Sequence, residues 1–266
     1  MRKPKSSNNA MLQSSLETPK QASLHQDILF ISDLHLAWEK PGLTRRFLDF
    51  LQYRASRAQA VYILGDLFDA WIGDDDKTPP NRSIKKALRA LTEAGIRIFL
   101  LQGNRDFLLG EQFCRETGVT LLDDYSVIDL NGTRVLLTHG DLLCTDDEAY
   151  QAFRKKSRNP RWRNNVLSKP LILRLLAARW YRLRSFYHKR GKTDEIMDVN
   201  QQTVAETMRQ HGCDILIHGH THRPNLHEFL LEGRHAKRFV LADWTMDGAS
   251  ALCWNGSSFQ QERLYP

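Results

Sequence analysis

Five short blocks of this chain carry residues of the types that hold divalent cations: Asp33-Leu34-His35, Gly65-Asp66, Gly103-Asn104-Arg105-Asp106, His139-Gly140-Asp141 and Gly219-His220-Thr221-His222. Carboxylate and amide oxygens combined with imidazole nitrogens suit manganese, iron, zinc or magnesium, not the soft metals that prefer thiolates. One carboxylate can bridge two cations, and Asp66 is the natural candidate. Two cations about 3.5–4 Å apart would hold a bridging hydroxide and clamp phosphoryl oxygens, so the expected chemistry is hydrolysis of a phosphate bond. For both members of Asp33/His35 and of His220/His222 to point inward, the chain must turn there. The glycines before Asp66, Asn104 and His220 are expected to supply that freedom. His218 falls inside a strand-like run and reads as a core histidine or one that supports the ligands, not a ligand itself.

The surrounding pattern provides elements to position these blocks. From Ile28 onward, short β-rich runs alternate with helical segments: Ile28–Ser32, Leu43–Arg57, Ala60–Leu64, Arg82–Ala94 and Ile96–Leu101. That alternation marks an α/β sheet. Asn131-Gly132, between Val127–Leu130 and Arg134–Thr138, predicts a hairpin, and Asn255-Gly256 predicts another. Strand-like runs are also read at Asp214–Ile217, Leu226–Leu231, Arg238–Leu241 and Ser250–Trp254. The whole reads as a two-layered α/β sandwich, parallel early and antiparallel late. Each of the five blocks follows a strand-like run, where α/β sheets place their ligand sites.

Composition excludes several classes. Cys114, Cys144, Cys213 and Cys253 are widely spaced with no CxxC pair, which argues against a disulfide framework or a structural zinc and fits a reducing compartment. No apolar segment follows the charged start, and no run of about 18 apolar residues could span a bilayer. Residues 1–26 are polar and aperiodic and read as a disordered tail. Residues 27–266 read as one catalytic domain.

The net charge of +7 is local in origin. Residues 151–192 hold 14 Lys/Arg and no acid, against 24 basic and 31 acidic residues elsewhere. Within this block Ile172, Leu173, Leu176, Trp180 and Leu183 share one helical stripe, with Arg174 and Arg182 opposite and Arg179 and Arg184 flanking. Lys169-Pro170 marks the helix start. Two readings stand: a helix packed by its stripe on the core, or an inserted cap, about 155–192, whose stripe meets lipid and whose arginines meet phosphate. The second is favoured by the absence of any acid.

In composition and order the five blocks resemble the calcineurin-like metallophosphoesterase superfamily. The resemblance implies a four-layered α/β/β/α fold. It also implies that Asp33, His35, Asp66 and His222 hold one metal and that Asp66, Asn104, His139 and His220 hold the other. Longer stretches are more specific: Phe68-Asp69-Ala70-Trp71-Ile72-Gly73-Asp74-Asp75-Asp76, Gly140-Asp141-Leu142-Leu143-Cys144-Thr145-Asp146-Asp147, Ile196-Met197-Asp198-Val199-Asn200 and His218-Gly219-His220-Thr221-His222-Arg223-Pro224. From about Ile28 to the C-terminal end, the chain resembles the UDP-2,3-diacylglucosamine diphosphatase family of lipid A synthesis. That implies cleavage of the pyrophosphate of UDP-2,3-diacylglucosamine to UMP and 2,3-diacylglucosamine 1-phosphate (lipid X), with two Mn2+ per chain. It implies substrate contacts at Asn104, Arg105, Asp147, Ser185, Lys192 and His220. Catalytic roles fall to Asp66, Asn104, Arg105, His139 and His220. Arg182 and Lys189 are proposed as phosphate contacts from charge alone. A diacylated substrate places the enzyme peripherally at an anionic membrane surface, the cytoplasmic face of the inner membrane. No nucleic acid and no obligate protein partner are expected.

Many superfamily members carry His after the Asn of the third block, where it can protonate an alkoxide leaving group. Here the residue is Arg105, which does not release a proton at ordinary pH but pairs bidentately with phosphate. That suits a leaving group that is already a phosphate. The rival expectation keeps the metals and takes the chain as a phosphodiesterase or nuclease, the basic block tracking a nucleic-acid backbone.

Overall fold

The computed structural model describes residues 27–189 and 198–265, with the side chains of 183–189 outside that description. The tail 1–26 and Lys192 therefore lie outside the described residues, as do the side chains of Leu183, Arg184, Ser185 and Lys189.

Two mixed sheets pack face to face. The first contains β1 (Ile28–Ile31), β2 (Ala60–Leu64), β3 (Arg97–Leu101) and β4 (Thr120–Leu121) in parallel. Antiparallel β10 (Ala249–Trp254) and β11 (Phe259–Tyr265) complete it, in the order β11-β10-β1-β2-β3-β4. The second has β5 (Tyr125–Leu130), β6 (Thr133–Thr138), β7 (Ile215–His218), β9 (Arg234–Val240) and β8 (Asn225–Leu231), in that order. Here β6, β7 and β9 run parallel. The expectation of an early parallel and a late antiparallel half is thus corrected. The last strands join the first sheet, and the second sheet carries its own parallel core. Both Asn-Gly hairpins form, with Gly132 (φ +86°) and Gly256 (φ +95°) taking the left-handed conformation.

Alternation along each strand sorts side chains into three apolar layers. Ile28 and Phe30 of β1, Tyr62 and Leu64 of β2, Val135 and Leu137 of β6 and Ile217 of β7 fill the space between the sheets. The neighbours Leu29, Ile31, Val61 and Ile63 face outward onto α1 (Pro41–Tyr53), α2 (Asn81–Glu93) and α3 (Glu111–Thr117), through Phe47, Phe50, Ile84, Leu88 and Phe113. Leu136 and Leu216 face the other way onto Val204 and Met208 of α7 (Gln201–His211). The result is the four-layered α/β/β/α sandwich.

Three helices fill the basic segment: α4 (Glu148–Ser157), α5 (Pro160–Leu167) and α6 (Leu171–Lys189). Asp147 caps α4 by accepting from the Tyr150 amide, and Asn159 caps α5. On α6, Arg174 and Arg182, not the exposed part of the apolar stripe, face the protein. Arg174 is 6% exposed, pairs through both terminal nitrogens with Asp75 and donates to the Ile72 carbonyl (2.6 Å). Arg182 pairs with the buried Asp69. Ile172, Leu173, Leu176 and Trp180 are between 52% and 61% exposed. The core-packing reading of the stripe is thereby overturned for these four residues.

Candidate metal centre

Every block meets at the C-terminal ends of parallel strands: Asp33 after β1, Asp66 after β2, Asn104 after β3, His139 after β6 and His220 after β7. Packing the two sheets face to face brings these ends together.

The turn expected at the paired residues is made by those residues themselves. Asp33 (φ 55°), His35 (φ 47°), Asp66 (φ 52°), His220 (φ 71°) and His222 (φ 55°) all adopt the left-handed conformation, which costs a non-glycine residue about 1 kcal/mol or more. A lattice of main-chain bonds imposes it. Asp33 donates to the Gly65 carbonyl (3.1 Å), His35 to Asp66 (3.0 Å), Leu36 to Leu67 (3.0 Å) and Gly219 to His139 (2.9 Å). Of the three glycines assigned conformational freedom, only Gly65 (φ +89°) uses it. Gly103 and Gly219 serve close approach instead. A Cβ on Gly103 would lie 2.1 Å from Asp66 Oδ1, and one on Gly219 would lie 2.2 Å from Asp33 Oδ2. Gly103→Ala must therefore push the Asp66 carboxylate aside. We expect about a 10²-fold loss of turnover, the cost of an ångström-scale misplacement, with an unchanged circular dichroism spectrum.

Two clusters share Asp66. In one, His222 Nε2 lies 3.3 Å from both His35 Nε2 and Asp33 Oδ1. In the other, Asn104 Oδ1 lies 3.0 Å from His139 Nε2 and 2.9 Å from His220 Nδ1. Asp66 reaches both, with Oδ2 3.8 Å from His35 Nδ1 and Oδ1 3.9 Å from His139 Nε2. Ligand atoms of Asp33, His35 and His222, and likewise those of Asp33, Asp66 and His139, fall within 4.8 Å of one another.

The electrostatics call for positive charge. Burial pushes Asp66 up to about 7, with Asp106 and Asp33 adding to the rise against the opposing His139. Burial also raises Asp106, although its carboxylate accepts from the Gly103, Leu67 and Phe68 amides. Burial would raise Asp33 as well, but the His222 hydrogen bond and the imidazoles of His139, His222 and His35 hold it well below the usual carboxylate range. Burial opposes charge on His222, yet Asp243 and Asp33 lift it to about 9. His35 Nδ1 is buried without a hydrogen-bond partner, and the buried Asp33 Oδ1 has only the His222 imidazole beside it (3.3 Å), as expected of atoms that hold a cation. Hard oxygens and imidazoles in a buried, carboxylate-rich pocket fit borderline and hard divalent metals.

Sequence reasoning left several supporting residues without a role. Asp243, just beyond β9, has Oδ2 3.4 Å from His222 Nδ1 and so orients that imidazole. It shares the strand-end position of the other site residues, which is the signal that could have found it. Asp106 ties the Asp66 and Asn104 loops together through the amides named above. Asp141 accepts from Tyr150 Oη (2.5 Å) and Arg154 Nε (2.8 Å), and the Tyr150 ring stands 6.1 Å from that of His220. Among the expected substrate contacts, Arg105 lies beside the site, with Nη1 3.9 Å from Asp69 Oδ1 and its amide on Asp66 Oδ1 (2.8 Å). Asp147 sits at the start of α4, one turn before Tyr150. His218 is fully buried, donating from Nδ1 to the Gly219 carbonyl and accepting at Nε2 from Arg238.

Fold and site define a metal-dependent phosphoesterase class, and residues 27–224 match the calcineurin-like phosphoesterase family. UDP-2,3-diacylglucosamine hydrolase of Aromatoleum aromaticum is 49% identical over 229 residues, covering 86% of this chain and 93% of the relative. UDP-2,3-diacylglucosamine hydrolase of Pseudomonas aeruginosa PAO1 is 52% identical over 221 residues, covering 83% and 92%. The chain belongs to the calcineurin-like phosphoesterases and, within them, to the UDP-2,3-diacylglucosamine hydrolase family. Solved structures include an archaeal phosphodiesterase (TM-score 0.46, 11% identity, covering 90% of this chain and 99% of the other). Another is a phosphoesterase from E. coli (TM-score 0.42, 18% identity, covering 90% and 100%). Similarity at that level carries no argument here.

Proposed function

We propose that this chain hydrolyses the pyrophosphate bond of UDP-2,3-diacylglucosamine, giving UMP and 2,3-diacylglucosamine 1-phosphate for lipid A synthesis. The observation that carries the reading is Asp66, whose two oxygens face two separate sets of ligand atoms, beside an arginine in place of a proton donor. Asp33, His35, Asp66 and His222 would hold one cation, and Asp66, Asn104, His139 and His220 the other, with two Mn2+ as our assignment. When bound, such a pair supplies a water nucleophile at neutral pH and Lewis-acid charge for phosphoryl oxygens.

The protein's own groups do the rest. Arg105, held from behind by Asp69, presents its guanidinium to the pyrophosphate oxygens on which charge builds. His220 from the other sheet meets Asn104 from the β3 end at 2.9 Å. Asp243 keeps His222 oriented. No proton donor is needed for a phosphate leaving group. We assign Asp147, Ser185 and Lys192 as further substrate contacts, with Arg182 and Lys189 near the phosphates. We take residues 27–266 as one catalytic domain and α4–α6 as its cap.

The cap supports a membrane-borne substrate. Exposed Ile172, Leu173, Leu176 and Trp180 are accompanied by exposed Lys155, Lys156, Arg161, Lys169 and Arg179. An exposed apolar stripe on a cap that also carries exposed cations suits peripheral contact with an anionic leaflet. Among the described residues no helix is long and apolar enough to cross a membrane. We place the enzyme at the cytoplasmic face of the inner membrane. Leu176→Glu with Trp180→Glu should reduce co-sedimentation with phosphatidylethanolamine/phosphatidylglycerol vesicles at least tenfold, and unchanged sedimentation would remove the membrane assignment.

The substrate assignment is tested by following UMP release from UDP-2,3-diacylglucosamine, with UDP-glucose and a bis-p-nitrophenyl phosphodiester alongside. Release confined to the acylated nucleotide is expected. Cleavage of the phosphodiester alone would favour the nuclease reading.

A further inference from the structure

The corner between α4 and α5 rests on the loop that carries Asn104 and Arg105, and Arg158 makes the polar contact next to Asn104. Arg158, half-buried at the end of α4, donates from Nη1 to the Gln102 side-chain oxygen (2.9 Å) and from Nη2 to the Gly103 carbonyl (2.9 Å). A longer bond runs from Nη2 to the Gln102 carbonyl (3.4 Å). Its guanidinium lies over the Phe107 ring, 5.5 Å from the centroid. Phe107 in turn packs against Phe153 of α4 and Trp162 of α5.

The loop is gripped from two sides. Asp106 takes the Gly103 N–H (2.7 Å) from within the core, and Arg158 takes the Gly103 C=O from the cap. The Gln102 amide nitrogen is used as well, donating to the Leu109 carbonyl (2.6 Å). The two peptide groups flanking Gly103 are thus each held by a side chain, the one before it through its N–H and the one joining it to Asn104 through its C=O. Immediately beyond it, the Asn104 oxygen meets His139 and His220, and the Arg105 amide meets Asp66.

We propose that Arg158 is a positioning residue that couples the seating of the cap to the placement of Asn104 and Arg105. The planar fork explains the residue type, because two acceptors in one plane are met at once by a guanidinium and not by an ammonium. Another cap anchor, Arg174, donates to Asp75, Ile72 and Lys169, and none of these hydrogen bonds goes to this loop. It separates holding the cap down from placing Asn104.

The inference rests on the metal-centre reading above, and the test keeps the two apart. Mn2+ is titrated into chelator-treated full-length protein by calorimetry, without substrate. Two binding steps in the unaltered protein support the metal centre itself, and their absence would overturn that reading first. Given two steps, Arg158→Ala should weaken one of them about 10–100-fold, the usual loss when a group orienting a ligand is removed. Arg158→Lys should weaken the same step by a smaller factor, and it decides the matter if the alanine variant does not fold. Arg174→Ala should leave both steps within twofold. Unaltered Mn2+ binding in the Arg158 variants, or equal weakening in Arg174→Ala, would reduce Arg158 to a tether of the cap.

Discussion

Asp66→Asn is expected to lower turnover at least about 10³-fold and, in the same protein, to raise the melting temperature of the metal-free form at pH 8. The first effect follows from position. Asp66 is 2% exposed and is the carboxylate that faces both ligand clusters, at 3.8 Å from His35 and 3.9 Å from His139. Losing several kcal/mol of transition-state stabilisation, about 4 kcal/mol for a factor of 10³, is in the range a disrupted metal pair produces. The second effect follows from burial. The Asp66 carboxyl is raised from its ordinary value of 3.8 to about 7 in the folded protein. A raised acid favours the fold while protonated. That contribution is complete below the ordinary carboxylate range and is lost as the pH rises through about 7. At pH 8 the ionised group therefore costs the metal-free protein a few kcal/mol, roughly several degrees of melting temperature. Asparagine keeps an oxygen for the Arg105 amide and removes the charge. The melting-temperature gain should be present at pH 8, should shrink to less than half at pH 5, and should be reversed by excess metal, which stabilises only the unaltered site. Thermal unfolding in EDTA at the two pH values reads the second effect, and UMP release reads the first. A variant retaining a tenth of normal turnover would contradict the bridging role.

Arg105→Ala should lower kcat/KM for UDP-2,3-diacylglucosamine about 10²- to 10³-fold, the range seen when one donor to a developing oxyanion is removed. Its metal content should stay normal, because the link from position 105 to Asp66 is through the backbone amide, which alanine retains. Arg105→Lys should recover only part of the loss, since an ammonium does not reproduce the planar pairing with phosphate. Steady-state kinetics with metal analysis of the same samples checks both halves. Loss of bound metal in Arg105→Ala would assign the residue to building the site instead of to the phosphate.

Much of the architecture is written in short-range pattern. The strand runs after which Asp33, Asp66, Asn104, His139 and His220 follow were legible because each is bounded by turn residues and has both faces buried. The two Asn-Gly hairpins were legible because few other dipeptides accept their backbone twist. What pattern could not supply depends on contacts between distant residues. The direction of α6 is the clearest case. A stripe at helical spacing serves a core or a lipid surface equally well, and here the decision lies in Arg174 finding Asp75, 99 residues away, and Arg182 finding Asp69. Gly103 and Gly219 were read as sources of flexibility. Their reason is the crowding of Asp66 and Asp33 from other strands, which one-dimensional spacing does not carry. Asp243 was missed because its partner His222 comes from a different loop, and a lone Asp after a strand is common. The late strands were read as an antiparallel half because chain order does not reveal that β10 returns to pair with β1 or that β6, β7 and β9 run parallel.

The most direct test of the account is UMP release from UDP-2,3-diacylglucosamine by EDTA-stripped protein as Mn2+ is restored stepwise. No release is expected without metal, and full release as two Mn2+ per chain are bound. Undiminished release by the metal-free protein would contradict it.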